Sequence, residues 1–142
     1  MKPQIKDSPL NITTQIDESM ETNNNNYCFT IPILPGGIEL MKKWNEENIV
    51  NNQEHDAVFM AAGITHEQVW IQHSPPGSGA PDLEIVSLET EDPAMTLKEF
   101  ATSTLPWAIK FRDFAKEAFG LDFSKGPPPP LNELLVDWHK DK

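Results

Sequence analysis

The sequence predicts a small α+β domain with unstructured ends, and three observations support this fold class. A chain of 142 residues suits one domain around a single core. Short β-branched and aromatic runs alternate with longer stretches of helical periodicity between about residues 27 and 123. Residues 1–26 are polar and end in "NNNN", which predicts a disordered N-terminal tail.

Three segments have the composition of β-strands. The first, "YCFTIPIL" (27–34), contains Pro32, which is tolerated at an edge position or a strand end. The second covers about residues 67–73 and the third residues 83–90, with the flexible "SPPGSGAPD" (74–82) between them. This spacing predicts an antiparallel hairpin with a long loop.

Two helical stretches separate and follow these strands. The first is predicted as one continuous helix over 38–62, with Gly63 just past its end. Asp92 as N-cap and Pro93 at the first helical position predict the start of the second, which Pro106 restarts or kinks. With a short strand near 121–123, the order becomes the ferredoxin-like β-α-β-β-α-(β) pattern.

Apolar side chains occur on both faces of the predicted sheet, because Val69 and Ile71 alternate with Trp70 and Gln72. A sheet with helices on one side leaves its other face uncovered. We therefore predict a homodimer in which two copies pack sheet to sheet. Trp70 either lines a barrel cavity or packs at this dimer contact, and the contact is favoured because tryptophan is enriched at interfaces.

The C-terminal stretch 124–142 is predicted to be a Pro-rich spacer followed by a docking segment. "GPPPP" (126–130) favours an extended polyproline conformation. After it, apolar residues follow at helical spacing, which indicates either a small amphipathic helix or a segment that docks on its own domain, a sister subunit or a partner. These residues are Leu131, Leu134, Leu135 and Trp138.

Charge and cysteine content exclude several classes of function. Asp plus Glu number 22 against 11 Lys plus Arg, a net charge of −11 that disfavours nucleic acid and anionic membrane as partners. Cys28 is the one cysteine, so neither an intramolecular disulfide nor a thiolate cluster can form. The start lacks a signal peptide, and no apolar run approaches the roughly 20 residues of a membrane helix, so we expect a cytoplasmic protein.

A candidate small-molecule site follows from the periodicity of the predicted long helix. One stripe is apolar at its ends and carries amides and an imidazole between them, as a pocket with a few oriented polar groups requires. His55 is the candidate general base or hydrogen-bond donor. The alternative is a partly solvated helix face with His55 bonded to a neighbour, and Asp56 is expected to point away from it. The ligand-binding candidates are Trp44, Asn48, Asn51, Trp70 and Trp107.

No metal or cofactor is predicted. His66 and His73 are separated by an odd number of residues, so a regular strand directs their rings to opposite faces. Neither the H-x-H nor the H-E-x-x-H spacing of metal sites is present in this stretch.

The chain resembles the dimeric α+β barrel proteins, in particular an uncharacterised bacterial branch. The resemblance rests on "AAGIT" (61–65), "VWIQ" (69–72), "LEIVSLETEDP" (83–93) and "LLVDW" (134–138), and covers residues 27–138. It implies a homodimer whose relatives include cofactor-free monooxygenases, isomerases, haem-degrading enzymes and stress-responsive proteins. No catalytic motif of these relatives matches residue by residue.

Two classes of function remain open at this point. One is a cofactor-free barrel that binds, oxidises or isomerises a small apolar or aromatic molecule. The other is a non-enzymatic stress-associated or protein-interaction module that uses the C-terminal segment for docking. Fold analogy does not decide between them.

Overall fold

The computed structural model describes residues 26–125 and 132–141, and within them the fold is α+β with three strands and four helices. The predicted tail, apart from Asn26, and the spacer at 126–130 lie outside the described residues. The elements are β1 (Asn26–Pro32), α1 (Gly37–Asn48), α2 (Gln53–Ala61), β2 (Ile64–Gln72), β3 (Leu83–Thr90), α3 (Pro93–Thr102) and α4 (Pro106–Phe119).

The strands form one antiparallel sheet in the order β1-β3-β2. The predicted hairpin of β2 and β3 is confirmed, and its connection is closed by the Asp82 carboxylate, which accepts from the Ser74 backbone N–H at 2.8 Å. Pro32 ends the edge strand β1, where its missing N–H leaves no ladder bond unmade.

The short strand predicted near 121–123 is wrong. Residues 121–125 contain no strand, and the Ser124 backbone N–H donates to Asp122 Oδ1 at 3.0 Å, which closes a turn. An aspartate followed closely by serine favours such a local turn over a ladder. The sheet of the described residues therefore has three strands, two of which are edges.

The single long helix predicted over 38–62 is also wrong, because the chain leaves the helix after Asn48 and begins α2 at Gln53. Asn51 adopts a left-handed φ of 53°, and the Asn52 side chain caps α2 by accepting from the His55 N–H at 3.0 Å. Asparagine tolerates left-handed backbone and competes for backbone hydrogen bonds, so the run "NIVNN" interrupts a helix whose apolar period continues across it.

The helix boundaries predicted after β3 are confirmed. Asp92 Oδ1 accepts from the N–H groups of Ala94 and Met95 at 3.1 and 3.3 Å, and α4 restarts at Pro106. Arg112 of α4 donates to the carbonyl oxygens of Phe100 and Ser103 at 2.8 and 2.7 Å, and so caps the end of α3 with a positive charge. These bonds fix the angle between α3 and α4.

The C-terminal segment 132–141 has no helix, so the amphipathic-helix alternative is wrong. An isolated helix this short does not offset its nucleation cost without packing, and here Leu135 and Trp138 are 89% and 73% exposed. The Asn132 side chain accepts from the Cys28 backbone N–H on β1. The docking alternative stays a prediction.

Within the described ranges, no helix combines the length and the hydrophobicity that a membrane crossing requires.

Candidate functional site

A cavity of about 280 Å³ lies between one face of the sheet and all four helices. Its walls are almost entirely apolar, and its polar lining residues are Asn45, Glu67 and Glu84. The aromatic rings of the lining are Phe29, Trp44, Phe59, Phe100, Trp107, Phe111, Phe114, Phe119 and Phe123. All seven phenylalanines of the chain therefore line one cavity.

Strand alternation selects the residues that the sheet contributes. Phe29 of β1 lies opposite Val86 of β3, which in turn lies opposite Val69 of β2, so all three point to the helix side. Val69 is nonetheless 48% exposed, because β2 is an edge strand that the helices cover only in part. The cavity therefore opens to solvent beside β2.

Stacked and tilted rings hold the helix side of the cavity in a defined arrangement. Trp44 of α1 stacks on Phe114 of α4 with centroids 4.7 Å apart, and Trp107 stacks on Phe111 at 5.4 Å. The Trp107 indole N–H donates to the Asn48 carbonyl oxygen at 2.8 Å. This bond satisfies a carbonyl that the end of α1 leaves without an intrahelical partner, and it fixes the orientation of the ring.

Two carboxyl groups lie on the sheet floor of this aromatic enclosure. Glu67 of β2 is opposite Leu88, and Glu84 of β3 is opposite Ile71, so the row formed by Val69 and Val86 separates them. Both therefore share the helix-facing side of the sheet with aliphatic neighbours. Neither carboxyl forms a hydrogen bond or an ion pair with any residue of 26–125 or 132–141.

Burial raises the pKa of both groups to about 7. For Glu67 the cause is the loss of water around the charged form. For Glu84 the same desolvation dominates, and the nearby negative charge of Glu67 raises its pKa further. Two carboxyls that exchange protons near neutral pH in an apolar cavity are typical of a functional site.

The structure brings together only some of the residues predicted for the site. Trp44 and Trp107 line the cavity, whereas Trp70 lies on the opposite face of the sheet and is 57% exposed. Asn48 and Asn51 lie outside the lining. Asn48 is the last residue of α1 and accepts from Trp107 with its backbone carbonyl, and Asn51 lies in the break between α1 and α2. Ligand binding by these residues stays a prediction.

His55 lies behind the cavity wall rather than in it. The centroid of its ring lies 4.0 Å from that of Phe59 and 5.4 Å from that of Trp107, to which it is inclined by 73°. Its Nδ1 lies 2.9 Å from Asp56 Oδ1, so the expectation that Asp56 points away is wrong in the short, capped first turn of α2. Its Nε2 is buried without a partner among the described residues. A catalytic role for His55 stays a prediction.

The two glutamates were missed by the sequence reasoning, although strand parity could have found them. Glu67 precedes Val69 and Ile71 by even steps, and Glu84 precedes Val86 and Leu88 in the same way. A carboxylate in phase with the apolar face of a strand is unusual, because charged residues are almost never fully buried unless paired. The sequence predicted the site on the helix stripe instead.

Across the described parts of the chain, no group of three or more His, Cys, Asp or Glu side chains is arranged to hold a metal ion.

Comparison with known proteins adds no relative from which a function could be transferred. The chain matches no family model, no curated protein and no solved structure.

Proposed function

We propose that the protein binds a small, largely apolar molecule in the cavity between the sheet and the helices. The observation that carries this proposal is the concentration of every phenylalanine and two tryptophans around one open space. This space also holds two carboxyls that no described residue pairs. A chain that only needed a core would fill this volume, since protein interiors pack to the density of organic crystals.

The size of the cavity limits the ligand. An engineered protein cavity of about 150 Å³ holds benzene, so 280 Å³ accommodates one aromatic ring with a short substituent or a comparable aliphatic body. The opening beside Val69 provides an entry that requires no unfolding of the helices.

Conversion of this molecule without a cofactor belongs to the same proposal. General acid–base catalysis works best when the pKa of the catalytic group lies near the operating pH. Glu67 and Glu84, with pKa values raised to about 7, can each take or give a proton to a ligand on the cavity floor. An isomerisation by proton transfer therefore suits this site better than an oxidation, which needs further redox chemistry.

Titration of the protein with neopentylbenzene, followed by tryptophan fluorescence, tests the binding proposal. Trp44 and Trp107 lie in the wall, so an occupied cavity should change their emission. The variant Val69→Phe narrows the cavity and should abolish the change. Its neighbour variant Gln68→Phe adds the same ring on the opposite face and should retain it. Equal fluorescence changes in the two variants would refute the assignment of the cavity as the binding site.

We also propose that two copies form a dimeric α+β barrel through the sheet face that points away from the helices. Trp70 lies there opposite Ile85 in the ladder and is more than half exposed. Large exposed apolar side chains on an otherwise uncovered sheet face are typical of an interface.

A non-enzymatic interaction module is the second candidate, and the C-terminal segment is the observation that favours it. Leu135, Val136 and Trp138 are each more than two-thirds exposed in an extended stretch. The two candidates differ in what they lose when residues 132–142 are deleted: an interaction module loses its partner, whereas the cavity retains its ligand.

A further inference from the structure

We infer that the ligand is an organic cation, held with its positive nitrogen between Glu67 and Glu84 and its apolar body against the aromatic walls. This inference rests on the proposed binding function and names the chemical class that the cavity recognises.

The charges around the cavity select the sign of the ligand. Its polar lining consists of two carboxyls and one amide, and no lysine, arginine or histidine lines it among the described residues. An anion would therefore meet like charge in an apolar surrounding without a compensating cation. A cation meets two carboxyls that have no partner among residues 26–125 and 132–141.

The aromatic rings strengthen the same preference. The face of an aromatic ring carries partial negative charge and attracts a cation within about 6 Å of it, more strongly when water is excluded. Trp44 and Trp107 carry the ring type that binds cations best. One face of each indole is stacked on a phenyl ring, and the lining contains seven phenyl rings in all. Aromatic walls with nearby carboxylates are therefore matched to an ammonium group on an apolar body.

The charge of the whole chain acts in the same direction. A net charge of −11 attracts cations toward the protein and raises their local concentration near the cavity, whose floor holds two carboxyls. Glu67 lies on the edge strand β2, beside the opening, whereas Glu84 lies on the central strand β3. A cation that enters there therefore meets Glu67 before Glu84.

Binding of a cation should release protons from the protein. A nearby positive charge favours the charged form of a carboxyl. At pH 7, two carboxyls with pKa values near 7 together carry about one proton, which an ammonium group between them displaces. Other titratable groups near the cavity are Tyr27, on the same sheet face of β1, and His55, behind Phe59. None of the charged side chains of α1, α3 or α4 lines the cavity.

A matched pair of probes tests this inference. Benzyltrimethylammonium carries a permanent positive charge, and neopentylbenzene is its neutral carbon isostere with the same shape. Calorimetric titration of the full-length protein at pH 7, in buffers with different ionisation enthalpies, gives both the affinity and the number of protons released. Because the charged probe cannot lose a proton, every released proton comes from the protein.

Three variants complete the experiment. Glu67→Gln and Glu84→Gln keep the shape of the side chains and remove the charge. Glu89→Gln is the control. It removes a carboxyl from β3, the strand of Glu84, but on the opposite, exposed face of the sheet.

We expect the cation to bind at least tenfold more tightly than its isostere, with release of about one proton at pH 7 and much less at pH 8.5. Glu67→Gln and Glu84→Gln should each weaken cation binding at least tenfold and leave the isostere unaffected, while Glu89→Gln changes neither. Equal or tighter binding of neopentylbenzene would overturn the inference and leave the proposed function intact. Failure of both probes to bind the wild-type protein would overturn both.

Discussion

Replacement of Glu67 by glutamine should stabilise the protein at pH 8 and have little effect at pH 4.5. Glutamine has the shape of the protonated glutamate and stays neutral at every pH. The folded protein disfavours the charged form of Glu67, because burial raises its pKa from 4.5 to about 7. The substitution therefore removes a cost that only the charged form imposes.

The size and the pH window of the effect follow from this pKa. A rise from 4.5 to about 7, at about 1.4 kcal/mol per pH unit, corresponds to a cost of up to about 3 kcal/mol. For a carboxyl whose pKa is raised by folding, this cost is absent below pH 4.5. It grows as pH rises from 4.5 to 7, and it is fully present above about pH 7. The negative charge of Glu67 also raises the pKa of Glu84, so its removal relieves that carboxyl as well.

Urea unfolding at pH 4.5 and pH 8 measures the effect as a difference in the free energy of unfolding. We expect the free energy of unfolding of Glu67→Gln to exceed that of the wild type by about 2–3 kcal/mol at pH 8 and by less than about 0.5 kcal/mol at pH 4.5. The control Glu89→Gln, on the exposed face, should have a free energy of unfolding within about 0.5 kcal/mol of the wild type at both pH values. A Glu67→Gln variant no more stable than the wild type at pH 8 would show that this carboxyl is hydrated in the folded protein and that burial does not raise its pKa.

Three further predictions concern the rest of the molecule. Asp92→Ala should lower the free energy of unfolding by about 1 kcal/mol in urea titrations, because it removes the N-cap of α3, and an unchanged value would contradict that role. Trp70→Lys should convert a dimer into a monomer of 16.0 kDa in sedimentation at micromolar concentration, whereas a wild-type monomer would contradict the barrel. Trp138→Ala should change the free energy of unfolding by less than about 0.5 kcal/mol, because the ring is exposed, and a loss above about 1 kcal/mol would mean that the segment is docked.

Local signals predicted a large part of the fold. β3 was predicted at its observed bounds, because its β-branched run lies between a Pro- and Gly-rich connection and the N-cap Asp92. The start of α4 at Pro106 followed from the fixed φ of proline, which suits the first turn of a helix.

The helix break at Asn48–Asn52 could not be predicted from periodicity, because the apolar spacing of α1 continues in phase into α2. The break follows from the left-handed φ of Asn51 and the Asn52 cap, which apolar periodicity does not register. The bond from the Trp107 indole to the Asn48 carbonyl adds a tertiary contact at the same place. The prediction of the site residues assumed the same continuous helix. Trp44 was placed by its spacing on one helix, but His55 belongs to another helix whose angle only tertiary packing sets.

Intermolecular nuclear Overhauser effects between bound neopentylbenzene and the isotope-labelled protein show where on the protein the ligand lies. If the cavity is the binding site, the ligand protons should show cross-peaks to the methyl groups of Val69 and Val86 and to the rings of Trp44 and Phe111, which all line it. Cross-peaks confined to Trp70 and the outer face of the sheet, or none to the cavity residues at saturating ligand, would contradict the account.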